Sequence, residues 1–314
     1  MTDGKRGSSQ VEQWISIGAT IAAPISVLGA LLFYFGYVSS ASEYAYFGVN
    51  VDTIGLSTQD YIMRSPQTLL VPLVVLALAS AGFLALNSAV RRRIAAGLAR
   101  AADDPGRPVR RIRRLAPLWR IPGLVALAAG VVLLVAYSYV RDWELYGLVT
   151  PLLIGAGAGM TAYASRILQL ISRQQGRPVT AADTGHGVLA RRTAMVLLGV
   201  VVATSVFWAT ATVAQWSGRG LAEYAALHFD TLPSVVLDSK ERLFLSGDRG
   251  VRETVLPHSA GQTFRYRYRG LHLLIEGHDR MFLVPDTWSL ADSTLIVPLD
   301  GSVRVQFQFE NEIP

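Results

Sequence analysis

The sequence predicts a membrane α-helical bundle of about five transmembrane helices, followed by a C-terminal β-rich domain. Three observations predict it: five long apolar stretches, basic residues concentrated in alternate loops, and a change to alternating polarity after about residue 221. A helix needs about 20 apolar residues to cross the hydrocarbon core of a bilayer. The stretches that meet this length are residues 14–38, 68–90, 121–140, 146–172 and 193–216.

The loops between these stretches carry unequal shares of Lys and Arg. Sixteen basic residues lie in the N-terminal tail and in the loops after the second and fourth stretches, whereas the other two loops hold only Arg64 and Arg141. Lys and Arg are retained on the cytoplasmic side of a membrane. We therefore expect a multi-pass protein of the cell (plasma) membrane with its N-terminus inside and its C-terminal domain outside.

This topology divides the chain into three parts. Residues 1–12 are expected to form a cytoplasmic tail, and residues 217–314 an extracytoplasmic β-rich domain. Residues 13–216 are the transmembrane domain, with an outer loop at 39–66 and a basic cytoplasmic loop at 91–120. The chain has no cysteine, so the outer domain must be stabilised by packing without disulfides.

The basic loop, from Arg91 to Arg120, contains ten arginines. A basic cluster next to a membrane is attracted to anionic lipid headgroups by about 1 kcal/mol per residue. The lipid bilayer and its anionic headgroups are therefore the expected partners of this loop. Because the net charge of +6 comes from loops that set the topology, it predicts no binding of nucleic acid.

Small residues predict a helix contact in the fourth stretch. Gly155 and Gly159 have the GxxxG spacing, with Gly157 between them. Transmembrane helices associate through such small residues, because these allow the backbones to approach closely. The contact is expected within one subunit or between copies in a homo-oligomer. Arg166 follows twenty residues of this stretch, so we expect its long side chain to reach the cytoplasmic interface.

The fifth stretch is the most polar of the five in its second half. Hydroxyl, amide and indole groups recur there near one helix face, at Thr204, Ser205, Trp208, Thr212 and Gln215. A ring of such helices from several subunits would line a water-filled path. The alternative is ordinary helix packing, since Ser and Thr hydroxyls also bond to the carbonyl one turn back.

Strand-like segments follow residue 221. The expected strands are residues 242–245, 263–268, 271–276, 280–284, 294–298 and 302–309, with a hairpin turn at EGHD. The segment FRYRYR places its aromatic residues on one face and Arg265, Arg267 and Arg269 on the other. An antiparallel sheet with one buried face is therefore predicted. The three arginines are candidates for binding an anion or a polyanionic polymer, or are simply solvated strand residues.

Two segments carry a resemblance to a known group of proteins. YFGVNVDTIGLSTQDYIMRS, and YRYRGLHLLIEGHDRMFLVPDTW followed by a VRVQF strand, resemble uncharacterised multi-span membrane proteins of actinobacteria. The resemblance covers most of the chain. It implies the architecture described above and implies no activity.

The chemistry of the sequence favours a function that is not enzymatic. The apolar stretches hold no His, Asp, Glu or Cys, and no spacing in the chain is typical of a catalytic centre, a metal site or a cofactor site. Two hypotheses remain. The first is a homo-oligomeric ion channel or pore lined by the fifth helix and capped by the outer domain. The second is a cell-envelope receptor or scaffold whose β domain binds a partner or a polyanionic ligand.

Overall fold

A computed structural model describes residues 4–101, 107–174, 185–245, 250–257, 261–289 and 292–308. The chain forms two compact units. The sheet unit comprises Met1–Leu69 and Ala214–Pro314, and the helical unit comprises Leu70–Val213.

Seven α-helices occupy most of the described residues up to position 227. They are α1 Gly4–Tyr46, α2 Val51–Ile54, α3 Thr58–Ala101, α4 Arg107–Val135, α5 Tyr137–Val140, α6 Tyr146–Gln174 and α7 Gly185–Leu227. Within the described part of the chain, four of their segments are long and apolar enough to cross a membrane: Ala22–Tyr46, Thr58–Arg92, Tyr146–Arg166 and Arg192–Leu227. The protein is therefore a membrane protein with transmembrane helices.

The predicted span at residues 121–140 differs from the other four. The apolar part of α4, Arg120–Val135, is shorter than those segments. The helix is interrupted at Ala136, which has φ −76° and ψ 10°, and α5 adds a single further turn. The interruption leaves about 24 Å of continuous apolar helix at 1.5 Å per residue, less than the roughly 30 Å of the hydrocarbon core.

Helix α3 starts earlier than the expected span because it continues through a proline. Ser57 and Asp60 form a capping box at its start: the Ser57 N–H donates to Asp60 Oδ2 at 2.8 Å, and the Asp60 N–H donates to Ser57 Oγ at 3.2 Å. Pro66 has no N–H to give to the carbonyl of Ile62. The Ser65 hydroxyl donates to that carbonyl at 2.7 Å instead, so the helix is not broken there.

The described residues after α7 contain one antiparallel sheet of six strands. The strands are β1 Ser234–Ser239, β2 Arg252–Val255, β3 Tyr266–Glu276, β4 Arg280–Pro285, β5 Leu295–Pro298 and β6 Val303–Gln308. Their order is β5-β4-β3-β1-β6, and β2 pairs with the first half of β3. The C-terminal β-rich region that the sequence predicts is therefore present.

A bulge in β3 explains why two predicted strands are one. Val235 pairs with Leu271 and Leu237 pairs with Tyr268, so Arg269 and Gly270 together stand opposite a single residue of β1. Gly270 has φ +80°, a conformation that glycine adopts without strain. The extra residue places Tyr268 and Leu271 on the same buried face.

The two faces of the sheet have different neighbours. Face A is the side of Tyr268, Leu271 and Leu283, and it forms a core with chain segments that follow β1. Face B is the side of Phe282 and Val284. Near β4, face B packs against the ends of α1 and α3 and the connection between them, in a cluster of Tyr44, Val49, Val51, Ile54, Tyr61, Ile275 and Phe282. The α1–α3 connection is therefore part of the core of the sheet unit.

The β3–β4 hairpin at EGHD is confirmed, and its glycine is needed for close packing rather than for a positive φ. The Gly277 N–H donates to the Arg280 carbonyl at 2.8 Å, which closes the turn. Gly277 is not among the residues with positive φ. A Cβ at this position would lie 2.1 Å from the Ile54 carbonyl oxygen, so glycine is required by the close approach of α2.

Candidate functional site

The most distinctive polar surface of the sheet unit is the part of face B away from β4. The pairing register places Thr254 of β2 and Asp238 of β1 opposite Arg267, and Arg304 of β6 opposite Asp238. Arg269, two residues after Arg267, stands opposite Arg252. We call the arginines of this surface, with Arg265 just before β3, the arginine face: Arg252, Arg265, Arg267, Arg269 and Arg304.

Asp238 is the acidic centre of the arginine face. Its carboxylate is fully buried, and it accepts hydrogen bonds from Arg267 Nε at 2.7 Å and Arg267 Nη2 at 3.0 Å. Arg304 Nη2 donates to the same carboxylate at 2.5 Å. Two guanidinium groups therefore share one buried carboxylate, and each arginine is held in a defined orientation by a charge-assisted bond.

These contacts determine the charge state of the centre. The hydrogen bonds from Arg267, assisted by those from Arg304, hold the pKa of Asp238 below its usual range, although burial opposes this shift. The carboxylate is therefore ionised at neutral pH. Two cations with one anion leave a net positive charge at the centre. Arg304 has a further contact, since its Cζ lies 5.1 Å from the centroid of the Phe264 ring.

The other arginines of this face are available to a ligand. Arg252, Arg265 and Arg269 are exposed and form no ion pair among the described residues. Asp238 is the one acidic residue that the register places among the five arginines in the described strands. Of the predicted ligand residues, Arg265 and Arg269 are thus free to bind an anion, whereas Arg267 is mainly engaged with Asp238.

The structure places the polar residues of α7 in two different environments. Ser205 and Thr212 are buried, and the Thr212 hydroxyl donates to the Gly147 carbonyl of α6 at 2.8 Å. Trp208 packs edge-on against Tyr146 with ring centroids 6.2 Å apart. Three of the five candidates therefore contact neighbouring parts of the same chain or are buried. Thr204 and Gln215 are exposed.

Two glycines of α6, Gly155 and Gly157, pack closely against neighbouring helices. An added Cβ at Gly155 would lie 2.9 Å from the Ser205 side chain of α7. A Cβ at Gly157 would lie 2.5 Å from the Leu127 nitrogen of α4, which makes Gly157 a close-packing position as well. A Cβ at Gly159 would meet no described heavy atom within 4 Å, so Gly159 borders open space.

The histidines of the sheet unit show one specific arrangement. His272 Nε2 lies 2.6 Å from Asp286 Oδ1, and His272 Nδ1 lies 3.3 Å from the Leu232 carbonyl. This ring joins β3 to the segment that follows α7. His228 stacks on Tyr224 of α7, and His258 lies outside the described residues. Within the described ranges, no group of three or more His, Cys, Asp or Glu residues has a geometry for a metal ion.

The acidic residues near the α1–α3 connection have local partners. Glu43 lies 3.7 Å from Arg64, and Asp52 accepts a hydrogen bond from the Tyr37 hydroxyl at 3.2 Å. Asp60 caps α3. These carboxylates stabilise the connection that docks on the sheet.

Comparison of the chain with protein-family models, with curated proteins and with solved structures finds no match. The geometry described above is therefore the basis for inferring a function.

Sequence reasoning did not find Asp238, Arg252 or Arg304 as parts of the arginine face. Asp238 had a signal, because an aspartate within the apolar run SVVLDS needs a cationic partner when the run is a buried strand. The partner strands are far away in sequence, so the identity of that partner depends on the sheet register.

Proposed function

We propose that this protein is a non-enzymatic, membrane-anchored receptor or scaffold of the cell envelope whose sheet binds a polyanionic ligand. The arginine face is the single observation that carries the proposal. Five arginines with one aspartate make a cationic surface, and guanidinium groups bind phosphate and carboxylate through paired hydrogen bonds.

The fixed orientation of Arg267 and Arg304 supports binding rather than simple solubility. A flexible arginine loses side-chain entropy when a ligand orders it, whereas these two are already ordered by Asp238. In both Arg267 and Arg304, Nε and Nη2 bond to Asp238, and Nη1 makes no hydrogen bond to it. A polymer with regularly spaced anionic groups would contact this pair and the exposed Arg265 and Arg269 at the same time.

The proposed topology places this surface outside the cell. The basic segments between α3 and α4 and between α6 and α7 indicate the cytoplasmic side. Counting α4 with α5 as a fifth crossing, despite the short apolar part of α4, would put the sheet on the other side. The ligand would then be an anionic polymer of the envelope or an acidic segment of an envelope protein.

The topology has a direct test, because the chain contains no cysteine. Gly301→Cys places a thiol in the exposed turn before β6, and Arg92→Cys places one on the exposed surface of α3. A membrane-impermeant maleimide applied to intact cells should label Gly301→Cys, and it should label Arg92→Cys only after lysis. Labelling of Arg92→Cys in intact cells would show that the orientation is the reverse of the proposed one.

Binding is tested with the full-length protein in nanodiscs of phosphatidylcholine. Inorganic polyphosphate is the anionic probe, and dextran is the uncharged control. We expect saturable binding of polyphosphate that weakens as salt rises, because exposed charges are screened over about 8 Å at physiological ionic strength. Equal retention of polyphosphate and dextran would contradict the proposal.

A homo-oligomeric pore lined by α7 is the second candidate. Its support is the exposure of Thr204 and Gln215, which are free to line a path formed by several copies. Ser205, Trp208 and Thr212 instead contact neighbours within one subunit or are buried. The arginine face requires no further subunit, and for that reason the receptor is the preferred proposal.

A further inference from the structure

A second candidate binding site lies in the helical unit, away from the sheet. A cavity of about 350 Å³ is bordered by single faces of α3, α6 and α7. The residues of α3 that border it, from Phe83 to Arg91, follow helical spacing, as do those of α6 from Gly159 to Arg166. This volume is within the range of about 300–1,000 Å³ that small-molecule sites occupy.

The cavity has a charged end and an apolar end. Arg91 and Arg166 border it near the ends of the membrane-spanning segments of α3 and α6. Phe83 and Gly159 lie seven or eight residues earlier in these helices, which corresponds to about 10–12 Å of depth. Helix α7 runs the opposite way, so Val202 lies at the deep end. The cavity is therefore cationic at its shallow end and apolar at its deep end, which complements a lipid with an anionic headgroup and a hydrocarbon chain.

No carboxylate among the described residues neutralises the two arginines. No Asp or Glu is among the described residues that border the cavity. Neither Arg91 nor Arg166 forms an ion pair with any residue that the structure describes, and both are exposed. Two cations facing the same cavity repel each other, and an anion placed between them would remove that repulsion.

The deep end has space and apolar walls. A Cβ added to Gly159 of α6 or to Gly199 of α7 would have no described heavy atom within 4 Å. Phe83 and Tyr163 form one wall, with ring centroids 5.5 Å apart at an interplanar angle of 69°. The two glycines and the aromatic wall leave a slot suited to a hydrocarbon chain.

A polar group lies between the two ends. The Tyr163 hydroxyl donates to Asn87 Oδ1 at 3.4 Å. The Asn87 amide nitrogen has no hydrogen-bond partner among the described residues, so it is free to donate to an ester or hydroxyl oxygen. An amphiphile that is anionic at one end, ester-linked in the middle and hydrocarbon at the other end matches this order of groups.

We propose that this cavity binds one anionic phospholipid, with its phosphate between Arg91 and Arg166 and one acyl chain in the slot formed by Gly159 and Gly199. This site is independent of the arginine face and of the function proposed for it. A free phosphate ion would satisfy the arginines but would leave the apolar slot in contact with water or empty. The slot is therefore the reason for choosing a lipid.

The experiment is a titration of the detergent-solubilised full-length protein, followed by native mass spectrometry. The probes are phosphatidylglycerol, phosphatidylcholine and water-soluble glycerol phosphate. We expect one phosphatidylglycerol to be retained at least tenfold more tightly than phosphatidylcholine. Glycerol phosphate should not displace it at equal concentration. This comparison uses the unaltered protein, so it does not depend on the folding of any variant.

Variants then locate the site. Arg91→Gln with Arg166→Gln should weaken phosphatidylglycerol binding about thirtyfold, because it removes two phosphate contacts that each contribute about 1 kcal/mol. Gly159→Leu should weaken it by a similar factor by filling the slot. The matched controls are Arg92→Gln, the next arginine on α3, and Gly82→Leu, whose added side chain would enter open space outside the cavity.

Three results would overturn the proposal. Equal retention of the two lipids would show that the arginines do not select a charge. Displacement by glycerol phosphate would show an anion site without a lipid slot. If Arg92→Gln weakened phosphatidylglycerol binding as much as the double variant does, only the general surface charge of the protein would matter.

Discussion

Arg267 and Asp238 lie directly opposite each other on β3 and β1, and two hydrogen bonds of 2.7 and 3.0 Å join their side chains. Arg304 reaches the same carboxylate from β6, on the other side of β1. One buried aspartate thus joins three neighbouring strands and orders two of the five arginines of the arginine face.

Replacing Asp238 with Asn should destabilise the sheet. The substitution keeps the size of the side chain but removes the charge that both guanidinium groups contact. Hydrogen bonds to charged groups each contribute about 1.5–3 kcal/mol, and the partial exposure of both arginines favours the lower part of this range. Thermal unfolding of the full-length protein, followed by the β-sheet circular dichroism signal, should show a lower midpoint. An unchanged midpoint would contradict the structural role of Asp238.

The same ion pairs predict a dependence of stability on pH. The pKa of Asp238 is lowered in the folded protein by Arg267 and then by Arg304. A lowered carboxylate pKa stabilises the folded state above the unfolded pKa of about 3.9, and this contribution is lost as pH falls through the folded pKa. The midpoint difference between wild type and Asp238→Asn should therefore be full at pH 7 and should shrink below about pH 4. A constant difference over this range would show that the charge is not involved.

Replacing Gly277 with Ala should loosen the contact between the β3–β4 hairpin and α2. The new Cβ would lie 2.1 Å from the Ile54 carbonyl oxygen, so the backbone must shift. Overpacking of this kind costs about 1–3 kcal/mol. Limited proteolysis of the full-length protein should cleave the hairpin or the α1–α3 connection faster. Gly301→Ala is the matched control, since its Cβ meets no described atom within 4 Å.

Replacing Ser65 with Ala should destabilise α3 at Pro66. The Ile62 carbonyl would lose the hydroxyl that stands in for the absent proline N–H, at a cost of about 1–3 kcal/mol. Ser88→Ala is the control on the same helix. Its hydroxyl also bonds a carbonyl, that of Ala85, but an ordinary helix N–H remains for that carbonyl. Equal effects of the two changes on the thermal midpoint would contradict this explanation.

Two threonines of α7 separate the pore hypothesis from helix packing. Thr204 is exposed, so Thr204→Leu should alter single-channel conductance in planar bilayers if α7 lines a pore. Thr212 donates to the Gly147 carbonyl, so Thr212→Leu should lower the thermal midpoint with or without a pore. A bilayer that stays silent with folded, inserted wild-type protein would remove the pore from consideration.

Local patterns were enough to predict much of this fold. The apolar stretches predicted the long helices because their length is a direct consequence of bilayer thickness. The EGHD hairpin was also predicted, since it depends on residues within four positions of each other. The alternation in FRYRYR placed Tyr266 and Tyr268 towards the core and Arg267 on the opposite face.

Some strands were not predicted correctly, because their identity depends on distant partners. Strand β1 was missed because five consecutive residues are buried, which removes the alternation of an ordinary strand. Residues 242–245 were predicted as a strand and are not one. Leu243 and Leu245 pack on face A, and the Leu243 N–H donates to the Tyr268 hydroxyl, so this segment is apolar without pairing in the sheet.

The candidate site was predicted only in part for the same reason. Arg265, Arg267 and Arg269 stand next to one another in the sequence, and their alternation showed that they share a face. Arg304 and Arg252 join that face only through strand pairing, which no local pattern specifies. The burial of Asp238 between Arg267 and Arg304 is a property of the register and not of any short segment.

The most direct test of the receptor proposal compares two arginine variants in a polyphosphate binding measurement. Arg265→Gln with Arg269→Gln removes two exposed charges from the arginine face. The control, Arg280→Gln, removes a partly exposed charge at the start of β4, where Arg280 pairs with Asp279. With full-length protein in phosphatidylcholine nanodiscs, we predict at least a tenfold rise in Kd for the double variant, which corresponds to about 1.4 kcal/mol or more of lost binding energy. For Arg280→Gln we predict less than a twofold change in Kd. Equal affinity of the double variant and wild type would contradict the proposal.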